Sequence, residues 1–306
     1  VSRPADTLGA RIAALATELA ARPLEVLEES PEGRAVVAFE RGGVRLVAKF
    51  ASSMDAAHGH ELLAALHEAL QASSARTLRV PESLGWFAGP RAQVGAAAEG
   101  TACRALAPRG AEAVFTRIGR ALAELHALAP LTDLPPRVAL RLGPPRRLRD
   151  HLAELVRPAP AELAAHLAAR CPEDAQVVEG NLARLFAEEA RLGPVAPVLL
   201  HRDFHLRQLF DDGRCVTVVD WDDAALGDPA FDVAYFTTYL ATHLDAEQAA
   251  IGGAAFRAGY GGDAHLWART ATWARFNWLR RACRRLRLGD TGWERELAAM
   301  VARLRG

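Results

Sequence analysis

A dense polar segment, His201-Arg202-Asp203-Phe204-His205-Leu206-Arg207-Gln208, stands between the apolar run Val198-Leu199-Leu200 and a hairpin whose turn reads Asp211-Asp212-Gly213-Arg214. An Asp-Gly pair between two short apolar runs is a strong hairpin signal. The second arm, Cys215 to Val219, ends in Asp220-Trp221-Asp222-Asp223, and Gly227-Asp228-Pro229-Ala230-Phe231-Asp232 follows soon after. A tight hairpin returns the chain to its start. Asp203, Gln208 and Asp220 are therefore expected in one cleft, and several oxygen donors in one cleft suit a hard cation such as Mg²⁺.

The rest of the chain falls into two styles of patterning. Leu8, Ile12, Leu15 and Leu19 repeat at helical spacing, with Asp6 or Thr7 as N-cap. The period then shortens. Leu24 to Leu27, Ala35 to Phe39 and Val44 to Phe50 read as three strands separated by Ser30-Pro31-Glu32-Gly33 and Arg41-Gly42-Gly43, an antiparallel meander. A helix is expected from His58 to Gln71, with Glu61 in its first turn, and two further strands within 80–98. Past the small-residue stretch Ala96 to Gly100 the pattern becomes mainly helical: Ala111 to Leu128, then about 148–156, 160–170 and 174–192, and, beyond the hairpin, 231–243, 246–258, 263–286 and 291–304. The Pro- and Arg-rich stretch 130–147 reads as loop.

Composition removes several classes of function. The 306 residues carry 37 basic and 37 acidic side chains, so no overall field draws the chain to nucleic acid or to an anionic membrane. No run of about 18 uncharged apolar residues is present, so no membrane span is expected, and the charged first 22 residues do not read as a signal peptide. The four cysteines lie far apart without a CxxC, which fits a reducing cytoplasm. Of the 37 basic residues, 36 are Arg; the single lysine, Lys49, ends the third strand of the meander. In a chain that uses arginine wherever it serves, a lone compact ammonium marks a position where a planar fork does not.

The spacing matches a known template. In kinases, a catalytic-loop Asp is followed five residues later by an amide metal ligand, a second Asp after the hairpin holds metal, and a strand lysine pairs with a glutamate on the next helix. Asp203, Gln208, Asp220, Lys49 and Glu61 occur in those relations. The stretches LHRDFHLRQL, VVDWDDAALGDPAFDVAYF and the helix end ALAELHAL resemble the aminoglycoside phosphotransferase and choline kinase-like family, a branch of the protein-kinase-like fold. With the meander, the resemblance covers nearly the whole chain.

The resemblance implies a two-lobed α+β fold. A small antiparallel five-stranded lobe with one main helix, residues 1–97, would bind ATP, and a larger, mainly helical lobe, residues 98–306, would carry the catalytic loop and the acceptor. It implies Asp203 as catalytic base, Asp220 and Gln208 as Mg²⁺ ligands, Lys49 on the α- and β-phosphates paired with Glu61, and Asp228 and Asp232 bracing the catalytic loop. His201 reads as a buried hydrogen-bonding residue. Val36, Val47, Phe210 and Val219 supply an apolar slot for adenine. Three departures stand out. Gln208 replaces the usual Asn, Arg202 the usual Gly, and a plain hairpin, Ser30 to Arg34, must cover the phosphates where no GxGxxG occurs. Only seven residues separate Asp220 from Asp228, too few for a regulated activation loop, so a protein substrate is not expected.

The function expected is transfer of the γ-phosphate of ATP to a hydroxyl of a small metabolite or antibiotic-like acceptor. The alternative is a nucleotide-binding pseudokinase acting as scaffold, which Gln208 suggests. A zinc site built on His201 and His205 lacks a third His or thiolate and leaves Lys49 unexplained. In the helix after Asp263, Trp267, Trp273 and Trp278 read as core. The run Arg280, Arg281, Arg284, Arg285 and Arg287 reads as a solvated face, with an anionic acceptor or partner as the sharper alternative. No acidic cluster in 240–306 suits a polycationic antibiotic.

Overall fold

A computed structural model describes residues 7–30, 34–51, 58–128, 136–155, 159–288 and 293–305. In chain order its first part holds α1 (Leu8–Leu19), β1 (Arg22–Glu29), β2 (Ala35–Arg41), β3 (Val44–Phe50), α2 (His58–Ala72), β4 (Leu78–Arg79), β5 (Ser83–Phe87), β6 (Ala92–Ala96) and β7 (Thr101–Ala102). Then come α3 (Glu112–His126), α4 (Pro136–Leu142), α5 (Leu148–Leu155), α6 (Ala159–Ala168), α7 (Pro172–Glu189), β8 (Val198–Leu200), β9 (Leu209–Asp211), β10 (Val216–Val218) and β11 (Ala225–Gly227). Four helices close the order: α8 (Ala230–His243), α9 (Ala246–Tyr260), α10 (Ala264–Leu288) and α11 (Trp293–Arg305). Among the described residues no helix is long and apolar enough to cross a membrane.

The chain forms two compact units, each discontinuous in sequence. One comprises Val1–Leu106, Arg120–Gly143 and Leu206–Asp223; the other comprises Ala107–Gly119, Pro144–His205 and Ala224–Gly306.

In the first unit the meander forms as read, extended to five antiparallel strands in the order β1-β2-β3-β6-β5. Alternation along these strands separates two faces. Val37, Phe39, Leu46, Ala48, Phe50 and Val94 bury against Leu15 and Leu19 of α1. Thr7 caps that helix through a 3.3 Å bond from the Ala10 N–H to its Oγ1; Asp6, the other candidate cap, lies outside the described residues. Val36 stands directly opposite Lys49 in the β2–β3 register, and Val47 lies two residues before Lys49. All three belong to the face turned away from α1. The turn 31–33, expected to cover phosphates, lies outside the described residues.

The hairpin β9–β10 also forms as read, but it belongs to a four-stranded sheet in the order β4-β10-β9-β7, with β4 running parallel to β10. Asp212 Oδ1 accepts from the N–H groups of Arg214 and Cys215 at 2.7 and 2.6 Å, which closes the turn. Gly100, at φ +95°, passes the same strand so closely that a Cβ there would lie 2.3 Å from the Asp211 carbonyl oxygen. One expectation is corrected: within 130–147, residues 136–142 form helix α4. Val138 and Leu142 are buried there, and two buried apolar anchors four residues apart outweigh the Pro/Arg-rich composition around them.

The second unit is a helical body. Leu152, Leu163, Leu185, Phe231, Trp273, Phe276, Leu279 and Val301 lie in one core. Helix α8 is buried on nearly every side, so it reads as apolar throughout rather than amphipathic. The short pair β8–β11 ties the strand before the polar segment to the residues leading into α8.

Candidate active site

Within the first unit the lone lysine meets the acids of the returning hairpin. Lys49 Nζ lies 2.5 Å from Asp220 Oδ1 and 2.5 Å from Asp222 Oδ2. The Gln208 side-chain amide donates to the other oxygen of Asp220 at 3.1 Å. Asp220 reaches this position through a left-handed backbone, φ +65°, directly after the Val219 N–H closes the hairpin onto the Gln208 carbonyl at 3.0 Å. Trp221 is buried and anchored by Nε1 to the Val218 carbonyl at 2.9 Å, so the chain turns sharply and the flanking carboxylates project outward. Burial works against the charge on Lys49, but Asp222 and Asp220 outweigh it and hold its pKa above the ordinary lysine value. Val36, Val47, Phe210 and Val219 are all half-buried in this unit.

Glu61 does not take the lysine. Its Oε1 lies 3.6 Å from Arg137 Nη1, and its Oε2 is buried with no hydrogen-bond partner among the described residues. The expected Lys49–Glu61 pair is therefore corrected for this state of the chain. Arg137 sits on α4, the helix that the composition hid. Arg141 of the same helix donates to the Asp222 carbonyl at 2.5 Å.

Within the second unit the polar segment is held from below. Asp232, fully buried, accepts from the N–H of His201 at 2.7 Å and of Arg202 at 2.8 Å. Arg202 adopts φ +66°, the region that favours glycine, and the two bonds to Asp232 hold that turn. His201 is fully buried, and its Nδ1 accepts from the Asp203 N–H at 3.3 Å. Asp203 Oδ1 accepts from the Tyr235 hydroxyl at 2.5 Å, and its Oδ2 lies 3.4 Å from His205 Nε2. His205 stacks on Tyr239 with ring centroids 4.8 Å apart. Burial lowers its pKa, with Asp203 pulling the other way, so the ring is neutral at pH 7. Burial and the Asp203 charge together raise the Tyr235 pKa, so the phenol stays protonated and donates.

Asp228 does something different from the bracing expected of it. It is buried and faces α10: Arg269 Nη2 at 2.5 Å, Arg269 Nε at 3.0 Å and Trp273 Nε1 at 2.8 Å, with the Ala230 N–H at 3.0 Å. It pins the entry of α8 to α10, while Asp232 holds the loop backbone.

A family model described as "Phosphotransferase enzyme family" matches residues 12–300. The chain belongs to that phosphotransferase family. No curated protein gives a significant match. Among solved structures, a thermostable mutant of an aminoglycoside phosphotransferase in ternary complex with ADP and hygromycin B superposes with a TM-score of 0.68 at 17% identity, covering 96% of each chain. Macrolide 2′-phosphotransferase type I gives 0.59 at 19% identity, covering 99% of this chain and 98% of that one. A choline/ethanolamine kinase family protein from Mesorhizobium loti gives 0.59 at 17%, covering 96% and 94%. These likenesses carry the fold, which is the α+β, protein-kinase-like one.

In this phosphotransferase the donors around Asp220 fit a hard divalent cation of a particular kind. Among the described residues no group of three or more His, Cys, Asp or Glu could cage a metal. Mg²⁺ does not need one: it keeps waters and takes one or two carboxylates beside substrate phosphates. Asp220 with the Gln208 amide is a donor set of that size. Tyr235, Arg137 and the partner exchange of Asp228 were not legible in the sequence. Tyr235 carries a signal only in hindsight, three residues after Asp232 on the same helix and so on the same face.

Proposed function

We propose that this phosphotransferase is an ATP-dependent small-molecule kinase that transfers the γ-phosphate to a hydroxyl. Residues 1–97 would supply the ATP-binding portion and 98–306 the catalytic and acceptor-binding portion. The observation that carries the reading is the contact of the chain's only lysine with Asp220 and Asp222, with Gln208 on the second oxygen of Asp220. Each charge there has a role in phosphoryl transfer, where placement and neutralisation supply most of the rate. Lys49 neutralises the α- and β-phosphates. Asp220 and Gln208 would hold Mg²⁺, which when bound screens the phosphate charge. Val36, Val47, Phe210 and Val219 take the adenine. Glu61, whose buried Oε2 has no hydrogen-bond partner among the described residues, would be the carboxylate for Lys49 where Asp220 holds the cation.

Asp203 is assigned as the acceptor's base. Tyr235 donates to its Oδ1 and fixes the carboxylate plane, which turns Oδ2 toward an incoming hydroxyl. The neutral His205 leaves that oxygen its basicity. Cys103, Cys171, Cys215 and Cys283 are not joined in disulfides, which fits a reducing compartment such as the cytoplasm.

The test is ADP release from Mg²⁺-ATP across a panel of hydroxylated acceptors, with thermal-shift titration of ATP in the presence and absence of Mg²⁺. Stabilisation by ATP should depend on the metal. Asp203→Asn should lower kcat by roughly 10²–10⁴ with little change in ATP affinity, and Asp220→Ala should abolish turnover. Normal turnover in either variant overturns the site assignment, and ATP binding indifferent to Mg²⁺ with no turnover at all favours a scaffold instead.

A further inference from the structure

Arg280 and Arg281 of α10 do not lie on a plain solvated face, whereas Arg284 is exposed. Arg281 is largely buried, and its Cζ lies 5.4 Å from the centre of the Tyr235 ring and 5.8 Å from that of Tyr239. Arg280 lies 5.6 Å from the same Tyr235 ring. Tyr235 is the residue whose hydroxyl binds Asp203 at 2.5 Å, so two guanidiniums stand against the ring that orients the proposed base. All of these residues belong to the second unit.

Among the described residues no carboxylate lies within ion-pair distance of Arg280, Arg281 or Arg284, and Arg281 Nε is buried without a hydrogen-bond partner. Burial lowers the Arg281 pKa, and Arg280 and Arg284 lower it further by repulsion. Acids elsewhere in this unit have partners of their own: Glu154 pairs with Arg146 and Arg202, Asp232 with the loop backbone, Asp228 with Arg269 and Asp203 with the Tyr235 hydroxyl. A buried cation without a partner is costly. Stacking on tyrosine faces offsets part of that cost but leaves the N–H edge of the fork unmatched, and that edge fits a planar carboxylate or a phosphate.

We propose, resting on the phosphotransfer reading above, that the acceptor carries an anionic group, a carboxylate or a phosphate, seated on Arg281 and Arg280 while its hydroxyl faces Asp203. In the transfer, the hydroxyl oxygen forms a bond to the γ-phosphorus and the bond from that phosphorus to the β,γ-bridging oxygen breaks. ADP leaves with the electron pair, and the hydroxyl proton passes to Asp203. The anionic group takes no part in the bond changes. A polycationic acceptor would meet like charge at this end of the site.

The experiment compares ADP release for four sets of hydroxyl compounds: hydroxy acids such as glycerate and gluconate, sugar phosphates such as glucose 6-phosphate, neutral polyols and sugars, and cations such as choline and aminoglycosides. One of the two anionic sets should exceed the neutral set in kcat/KM by about tenfold or more, the size of one or two charge-assisted hydrogen bonds. Which anionic set does so separates carboxylate from phosphate. Arg281→Gln should raise the KM for that acceptor by a similar factor and leave the KM for ATP unchanged, and Arg281→Lys should restore part of it. Melting of the unliganded variants shows that both are folded. Preference for neutral or cationic acceptors, or an acceptor KM indifferent to Arg281→Gln, overturns the proposal while the kinase reading stands. If no compound releases ADP, the kinase reading falls. The anion site is then read by thermal shift with the same hydroxy acids and sugar phosphates: a shift that Arg281→Gln removes upholds it, and no shift overturns it.

Discussion

Two pairs of aspartates from one stretch of chain have opposite surroundings. Asp228 and Asp232 are 4% and 0% exposed, and each spends its oxygens on fixed donors. Asp220 and Asp222 have side chains 38% and 50% exposed and share one flexible ammonium. A buried carboxylate is tolerable only when it is saturated, and it then fixes the backbone or helix that saturates it. A half-exposed carboxylate costs little to solvate, adds little to stability and keeps lone pairs for a ligand. The difference separates residues that shape the site from residues that serve it, although all four are the same amino acid within 13 positions.

The largest expected effect is at Asp228. Asp228→Ala leaves the buried Arg269 without its carboxylate, with only the Leu192 and Gly193 carbonyls to accept from it, and removes the acceptor of Trp273, which should cost about 3–5 kcal/mol. Urea denaturation measures it against Asp222→Ala, expected to cost under about 1 kcal/mol. Equal losses would break the distinction drawn above. Lys49→Ala sharpens it from the other side. Two ion pairs vanish, yet stability should change by no more than about 1 kcal/mol, because every partner is at least a third open to water or close to it. Turnover should fall by roughly 10²–10³ through the loss of a charge aimed at the phosphates. A Lys49→Ala chain that melts early and turns over normally would place the lysine among the structural groups.

The sequence discloses one half of this contrast more readily than the other. The Asp203–Gln208–Asp220 spacing and the lone Lys49 are visible because short-range turn chemistry fixes them: an Asp-Gly hairpin and an alternating strand. The five-stranded sheet is legible for the same reason. The pairing of Glu61 is not, since its partner sits on a seven-residue helix inside a Pro/Arg-rich stretch, held by Val138 and Leu142 through contacts that no local pattern records. Nor is the parallel contact of Leu78 with Val216, strands of two and three residues more than a hundred positions apart. Arg280 and Arg281 of α10 read as solvent-facing because helical spacing alone cannot show that Tyr235 and Tyr239, on a helix buried on nearly every side, lie beneath them.

The smallest expected effect is a change of slope, and it asks whether the buried set in the second unit includes a group that is not saturated. His151, on α5, is 3% exposed; it stacks on Phe231 at 4.8 Å, meets the edge of Trp273 at 5.2 Å, and its Nε2 has no hydrogen-bond partner among the described residues. Burial first, then the charges of Arg202, Arg146 and Arg280, hold its pKa well below 6.5. The folded chain therefore keeps this ring neutral while the unfolded chain takes up a proton as pH falls through about 6.5. Below that pH the unfolded state binds more protons, so the contribution of His151 is complete above about 6.5 and is lost on acidification, at a limiting slope of about 1.4 kcal/mol per pH unit. His151→Phe keeps an aromatic ring in the stack and removes the proton. Denaturation midpoints between about pH 7.5 and 5 should converge on the acid side, the variant losing less than the parent. His205, whose pKa is also depressed, remains in the variant and leaves it a residual slope of the same sign. Identical slopes for the two chains would mean that the folded unit protonates His151 as readily as water does, and the apolar seal around α5 would then be open.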